Sequence, residues 1–198
     1  MNYDAQVVLG VVSVGIGLVG YALYFRSIFK GLTKPHPFTW FIFWVIDATV
    51  MAAQLLHGGG PGAWALGVSV VMNLFVLYFA ITRGEKRIAK VDWACLAFAL
   101  VGIVLWQTSG DALYAVLCAA GADILAKVPT LRKSYLRPYE ESISVWGLDM
   151  GRFALSILAL SSLSLTTALF PAEVILTNGI VVLTVLLRRR QLARISQS

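Results

Sequence analysis

Several ionisable residues and amides sit inside apolar stretches, where such groups are costly. The candidates are Asp47, Asp123, Asp149 and Arg152, with Asn73 and Asn178 as the strongest neutral pair. A charged side chain at mid-bilayer costs at least ~2.5–3.5 kcal/mol on insertion scales, so each needs a reason to be there. Asn73 lies near the centre of the stretch 61–82, and Asn178 near the centre of 167–187. An amide both donates and accepts, which suits a neutral polyol or a similar polar solute. The competing role is a hydrogen bond that holds neighbouring helices together.

Trp40, Trp44, Asp47, Met51 and Gln54 follow one another at i, i+4, i+7, i+11 and i+14, which is one helical face. Ser142, Trp146, Asp149, Phe153 and Ser156 repeat that face later in the chain. Both faces are expected to point into the protein. Trp44 and Trp146 therefore join Asn73 and Asn178 as candidate substrate-binding residues. Asp47 and Asp149 are candidates for proton coupling, because a carboxylate held away from water can bind and release a proton. Arg152 stands three residues after Asp149 on the same side of the helix. If the two pair, Asp149 stays ionised and serves as a structural bridge. Asp47 and Asp149 would also suit an intramembrane aspartyl enzyme, provided that their carboxylates come within hydrogen-bond reach.

The elements that must carry these residues are apolar helices. The residues of the 198-residue chain are 59% apolar without counting 17 glycines, 13% are charged, and mean hydropathy is +0.79. Soluble domains carry about 25% charged residues, so a soluble globule and a disordered chain are both excluded. Two cysteines exclude a disulfide scaffold. Seven apolar stretches span 6–25, 37–57, 61–82, 91–107, 111–129, 142–162 and 167–187. Most approach the ~20 residues that cross a bilayer as a helix. The expected fold is an all-α membrane protein of seven transmembrane helices, with no room left for a soluble catalytic domain.

Net charge is +6, and its distribution points to topology rather than to nucleic acid. Fifteen of sixteen basic residues, from Arg26 to Arg194, fall at the end of the first, third, fifth or seventh stretch or just after it. Lys127 is grouped here with Arg132, Lys133 and Arg137. By the positive-inside rule the N-terminus is expected outside and the C-terminus in the cytoplasm; the expected location is a plasma (inner) membrane. The first stretch is followed by Tyr24-Phe25-Arg26 rather than a small-residue cleavage site, so it is expected to be a retained helix.

The halves repeat. At an offset of 106, Arg26 meets Arg132 and Phe29 meets Tyr135; at 102, Trp44 and Asp47 meet Trp146 and Asp149; at 105, Asn73 meets Asn178. The shared order predicts two parallel three-helix bundles around a linker helix (3+1+3). The expected boundaries are 1–87, 88–110 for the linker, 111–190, and a tail at 191–198.

With this repeat, its basic loops and Val128-Pro129-Thr130-Leu131-Arg132, the chain resembles the PQ-loop family. That family includes the SWEET sugar transporters and their bacterial relatives. Pro129-Thr130 and Leu23-Tyr24 stand where a Pro-Gln pair is usual. The resemblance implies transport of a small polar solute, sugar-like or similar, by alternating access at the midplane between the bundles. It also implies that Asn73 and Asn178 line the central cavity. In cystinosin-like, proton-coupled relatives an Asp follows a Ser by seven residues, as Asp149 follows Ser142, and the alternative is a proton-coupled exporter of an amino-acid-like solute. The nicotinamide riboside transporters share the same overall architecture.

Other signals carry less. Gly15, Gly17 and Gly20 satisfy a dinucleotide fingerprint, but within a membrane helix they point to close packing. Cys95, Cys118, His36 and His57 lack metal-ligand spacing, so neither metal nor cofactor is expected. No lysine follows Lys133, which removes a retinal-type photoreceptor. The expected partners are the bilayer and the solute, with a homo-oligomer left open.

Overall fold

A computed structural model describes residues 2–32, 35–84, 90–141 and 143–195. Seven α-helices run through them: α1 (Tyr3–Phe29), α2 (Pro37–Leu56), α3 (Trp64–Arg83), α4 (Lys90–Ser109), α5 (Leu113–Leu136), α6 (Ile143–Leu158) and α7 (Leu165–Ile195). Short 3-10 turns occupy Gly60–Ala63 and Pro138–Glu140, and no strand occurs among the described residues.

Local sequence explains where the helices begin. Asn2 caps α1 by accepting from the Ala5 amide, and Asp4 adds negative charge to the first turn. His36 caps α2 through the Thr39 amide, and Pro37 occupies the first helical position, where its missing N–H costs nothing. Ser164 and Thr167 cap α7 reciprocally, each side chain accepting from the other's amide.

All seven expected stretches are helical, but they are not equally long. Five segments are long and apolar enough to cross a membrane: α1, α2, Gly60–Arg83, α5 and Leu165–Arg194. The apolar part of α4 is Trp93–Ser109, and α6 has 16 residues. At 1.5 Å per residue α6 rises only ~24 Å, short of the ~30 Å of hydrocarbon. It stops early because the chain at Ala159–Ser161 turns back, with the Ser161 amide donating to the Gly59 carbonyl at 3.2 Å. At the other end the basic residues do not wait for a loop. Arg132 lies on α5, and Arg188 through Arg194 lie on α7. The expected boundary at 87/88, with Lys86 and Arg87, falls outside the described residues, as do Lys34 and Ser142.

The helices pack in a repeated order. α3 packs against both α1 and α2, and α7 against both α5 and α6. Across the middle, α1 lies on α6 and α2 on α5, while α4 covers α5 and touches α2. The core between them is built from Ile42, Ile46 and Val50 of α2, Val116 and Ala119 of α5, Phe153 of α6 and Phe170 of α7. The outer faces are apolar too: Val8, Val19, Phe75, Tyr78, Leu176 and Leu183 are all exposed. An exposed apolar belt of this extent has no place in water and suits a lipid surround.

One end of the bundle is closed by backbone-to-backbone approach. A Cβ on Gly10 would stand 2.9 Å from Pro61, and one on Gly62 would stand 2.7 Å from the Ser156 carbonyl. Only glycine lets α1 and α6 come this close to the Gly60–Ala63 turn. Ser156 then donates to the Gly62 carbonyl at 2.7 Å, and Gln6 donates to the Leu160 carbonyl at 2.8 Å.

Candidate functional site

The asparagines and aspartates meet in two couples. On α3, Asn73 donates its amide to Asp47 Oδ2 of α2 at 2.9 Å. On α7, Asn178 donates to Asp149 Oδ2 of α6 at 2.7 Å. The first couple joins α2 to α3 and the second joins α6 to α7, helices grouped with their neighbours as two triplets, α1–α3 and α5–α7, so matching sequence positions carry matching contacts. Both asparagines are buried.

The couples differ in what completes them. Tyr21 of α1 donates its hydroxyl to Asn73 Oδ1 at 2.8 Å, which closes the first. In the second, Asn178 Oδ1 is buried and has no partner among the described residues. Asp149 Oδ1 instead takes Arg152 Nε at 2.6 Å. Arg152 also reaches across to α3, donating Nη1 to Ser69 Oγ at 2.8 Å and to the Ala65 carbonyl at 3.1 Å. Its guanidinium carbon lies 4.2 Å from the Phe153 ring centroid. Arg152 thus satisfies its charge within the protein and ties the second triplet to the first.

Both couples line one cavity of about 560 Å³ between the triplets. Its wall runs from Gly17, Asn73 and Asn178 at mid-helix to Thr39, Thr130 and Glu141 near the helix ends. Trp146 is on the wall, with its indole N–H donating to Glu141 Oε2 at 3.3 Å. Trp44 is not; its ring packs on Phe41 at a centroid distance of 6.2 Å. Trp40 takes that place, its ring tilted at 45° against Tyr24 with centroids 5.0 Å apart. Trp40 precedes Asp47 by seven residues, which at 100° per residue puts the two within about 20° of each other, whereas Trp44 is about 60° away. Trp146 has the same angular offset from Asp149 and is nevertheless on the wall, where it is bonded to Glu141.

No protein-family model, curated protein or solved structure matches this chain.

Two residues on the cavity wall, Lys127 and Tyr21, and one beside it, Glu173, were not singled out from the sequence as part of the site. Lys127, grouped with the cytoplasmic basic cluster, lines the cavity and is ion-paired with Asp123 of its own helix. Its position four residues after Asp123 was the available signal. Glu173 lies in α7, 3.9 Å from Lys127, and the cost of a carboxylate in an apolar span should have marked it. Tyr21 had no polar neighbour in sequence to reveal it. The remaining sequence candidates serve the fold. Gly17 abuts Arg152, Cys95 donates its thiol to the Ala122 carbonyl, and His57 contacts the Ala53 carbonyl. Ser142 lies outside the described residues, so its spacing to Asp149 has no geometry attached.

Proposed function

We propose that the chain is a membrane transporter that moves a small polar solute by alternating access. In this reading α1–α3 and α5–α7 act as two three-helix bundles joined by α4, in the manner of the PQ-loop and SWEET-like proteins. The N-terminus is outside and the C-terminus in the cytoplasm of a plasma (inner) membrane.

The observation that carries the proposal is the shared cavity, flanked at mid-helix by an Asp–Asn couple from each triplet. About 560 Å³ falls within the ~300–1,000 Å³ of small-molecule sites. Its wall reaches the helix ends where α1 finishes and α2 begins, while the opposite end is closed at Gly10, Pro61 and Gly62. A cavity that runs to one face and is shut at the other is what one end-state of alternating access requires. The contacts that shut it join α1 and the Gly60–Ala63 turn to α6, so they are the ones a rocking of the triplets would break.

The couples favour transport over aspartyl catalysis. Asp47 and Asp149 are each bonded to their own asparagine, and both oxygens of Asp149 are engaged. A catalytic dyad needs two carboxylates sharing one proton. The solute is sugar-like or of similar polarity, in keeping with the polar couples along the cavity.

A ligand panel of sugars, polyols and amino acids tests the proposal, first by thermal shift on detergent-purified protein and then by uptake into liposomes. Asn178→Ala should weaken binding of the active solute by roughly fivefold to 150-fold, the equivalent of 1–3 kcal/mol per lost buried hydrogen bond. A solute whose uptake is indifferent to both Asn178→Ala and Asn73→Ala would remove the site.

A further inference from the structure

Away from the two Asp–Asn couples, α5 and α7 hold two carboxylates around a single ammonium. Lys127 Nζ is ion-paired with Asp123 Oδ2, donates to Thr177 Oγ1 at 2.8 Å, and lies 3.9 Å from Glu173 Oε1. The side chains of Asp123 and Glu173 are 10% and 8% exposed. Neither Glu173 oxygen has a hydrogen-bond partner among the described residues, and Asp123 Oδ2 has none beyond its ion pair.

Charge does not balance in this cluster. One ammonium compensates one carboxylate, and a second buried carboxylate needs either a counter-charge or a proton. Among the described residues, the surrounding elements do not supply the charge. From α2 comes Asp47, an acid and not a cation, and α6 brings Asp149 and Arg152, which are engaged with each other. Glu141 stands near the cavity mouth, and Lys90 of α4 is exposed at the start of its helix. Nor can a solute supply it, because Glu173 is not on the cavity wall, whereas Asp123 and Lys127 are. What reaches Glu173 has to be small.

We infer that Asp123 and Glu173 form a proton-binding site, in which one proton taken from cavity water is held between the two carboxylates beside Lys127. Protonated Glu173 donates its O–H to Asp123, which satisfies an oxygen on each residue and brings the cluster to zero net charge. The site belongs to one half only. At the repeat offsets of 106 and 105, Asp123, Lys127 and Glu173 correspond to Gly17, Tyr21 and Val68, none of them charged. It is separate from Asp149, whose oxygens are occupied by Arg152 and Asn178, and it does not depend on the transport reading.

Infrared difference spectroscopy of the full chain in lipid tests it without any solute. Solvent-exposed carboxyls are ionised at neutral pH, so a carboxylic-acid C=O band there reports buried, protonated groups. The wild type should show such a band at neutral pH and lose it as the pH is raised. Glu173→Gln and Asp123→Asn, each checked for helicity and melting, should both remove one carboxyl's share of it. In Asp123→Asn the reason is charge balance: Lys127 then compensates Glu173 alone. Absence of the band in the wild type overturns the inference whatever the variants do. Persistence of the full band in either folded variant also overturns it, and survival in Asp123→Asn alone would mean that Glu173 is neutral by itself rather than sharing a site.

Discussion

Gln54 of α2 donates its side-chain amide to the backbone carbonyl of Thr167 in α7 at 2.6 Å. Thr167 is four residues before Pro171, which lies inside α7. Proline has no N–H, so the carbonyl four residues earlier loses its helical donor. Gln54 replaces that donor from another helix and joins the two triplets near the closed end of the cavity.

Gln54→Leu should therefore strand the Thr167 carbonyl and destabilise the protein by about 1–3 kcal/mol. Pro171→Ala restores a helical N–H, so the same Gln54→Leu change should cost much less in that background. A double-mutant cycle by thermal or denaturant unfolding in detergent measures the difference. Equal costs in both backgrounds would show that the carbonyl is satisfied in another way.

The Asp149–Arg152 pair yields a second cycle. Asp149→Asn leaves Arg152 buried beside a neutral partner and should destabilise by about 2–3 kcal/mol. That is below the ~3–5 kcal/mol of a fully buried pair because Asp149 is 31% exposed on its side chain. Adding Arg152→Leu to Asp149→Asn should recover part of the loss. Without recovery, the pair is not the structural bridge that its geometry indicates.

Much of this arrangement was legible in the sequence. The apolar stretches located all seven helices, and the offset repeat matched Asp47 with Asp149 and Asn73 with Asn178, but it did not reveal that each aspartate bonds the asparagine of the neighbouring helix. What periodicity does not carry is rotation and neighbourhood. It could not tell that Trp40 rather than Trp44 reaches the cavity, since both lie on one broad face. It grouped Lys127 with its basic neighbours, because membership of a charge cluster says nothing about which way a helix turns its side chain. Helix length was also hidden: α6 stops at Leu158 because a distant turn at Gly59 receives its following residues.

Topology is tested at two exposed leucines. Leu32, after α1, is 77% exposed, and Leu163, between α6 and α7, is 74% exposed. Single cysteines there, in a background with Cys95 and Cys118 replaced, should react with an impermeant thiol reagent from opposite faces, Leu32→Cys from the cytoplasm. Labelling from one face would remove the proposed orientation.

Access to the cavity from both faces is the most direct measurement of the transport account. Gly20 lines the cavity, and a Cβ there meets nothing within 4 Å, so Gly20→Cys in the same background places a thiol on the wall without distortion. The account predicts fast modification by an impermeant reagent from the face where the cavity reaches the helix ends, and slow but measurable modification from the other. Gly62→Ala, which wedges the closed end against the Ser156 carbonyl, should raise the slower rate several-fold. Modification from one face only, unchanged by Gly62→Ala, would make the cavity a static pocket and contradict alternating access.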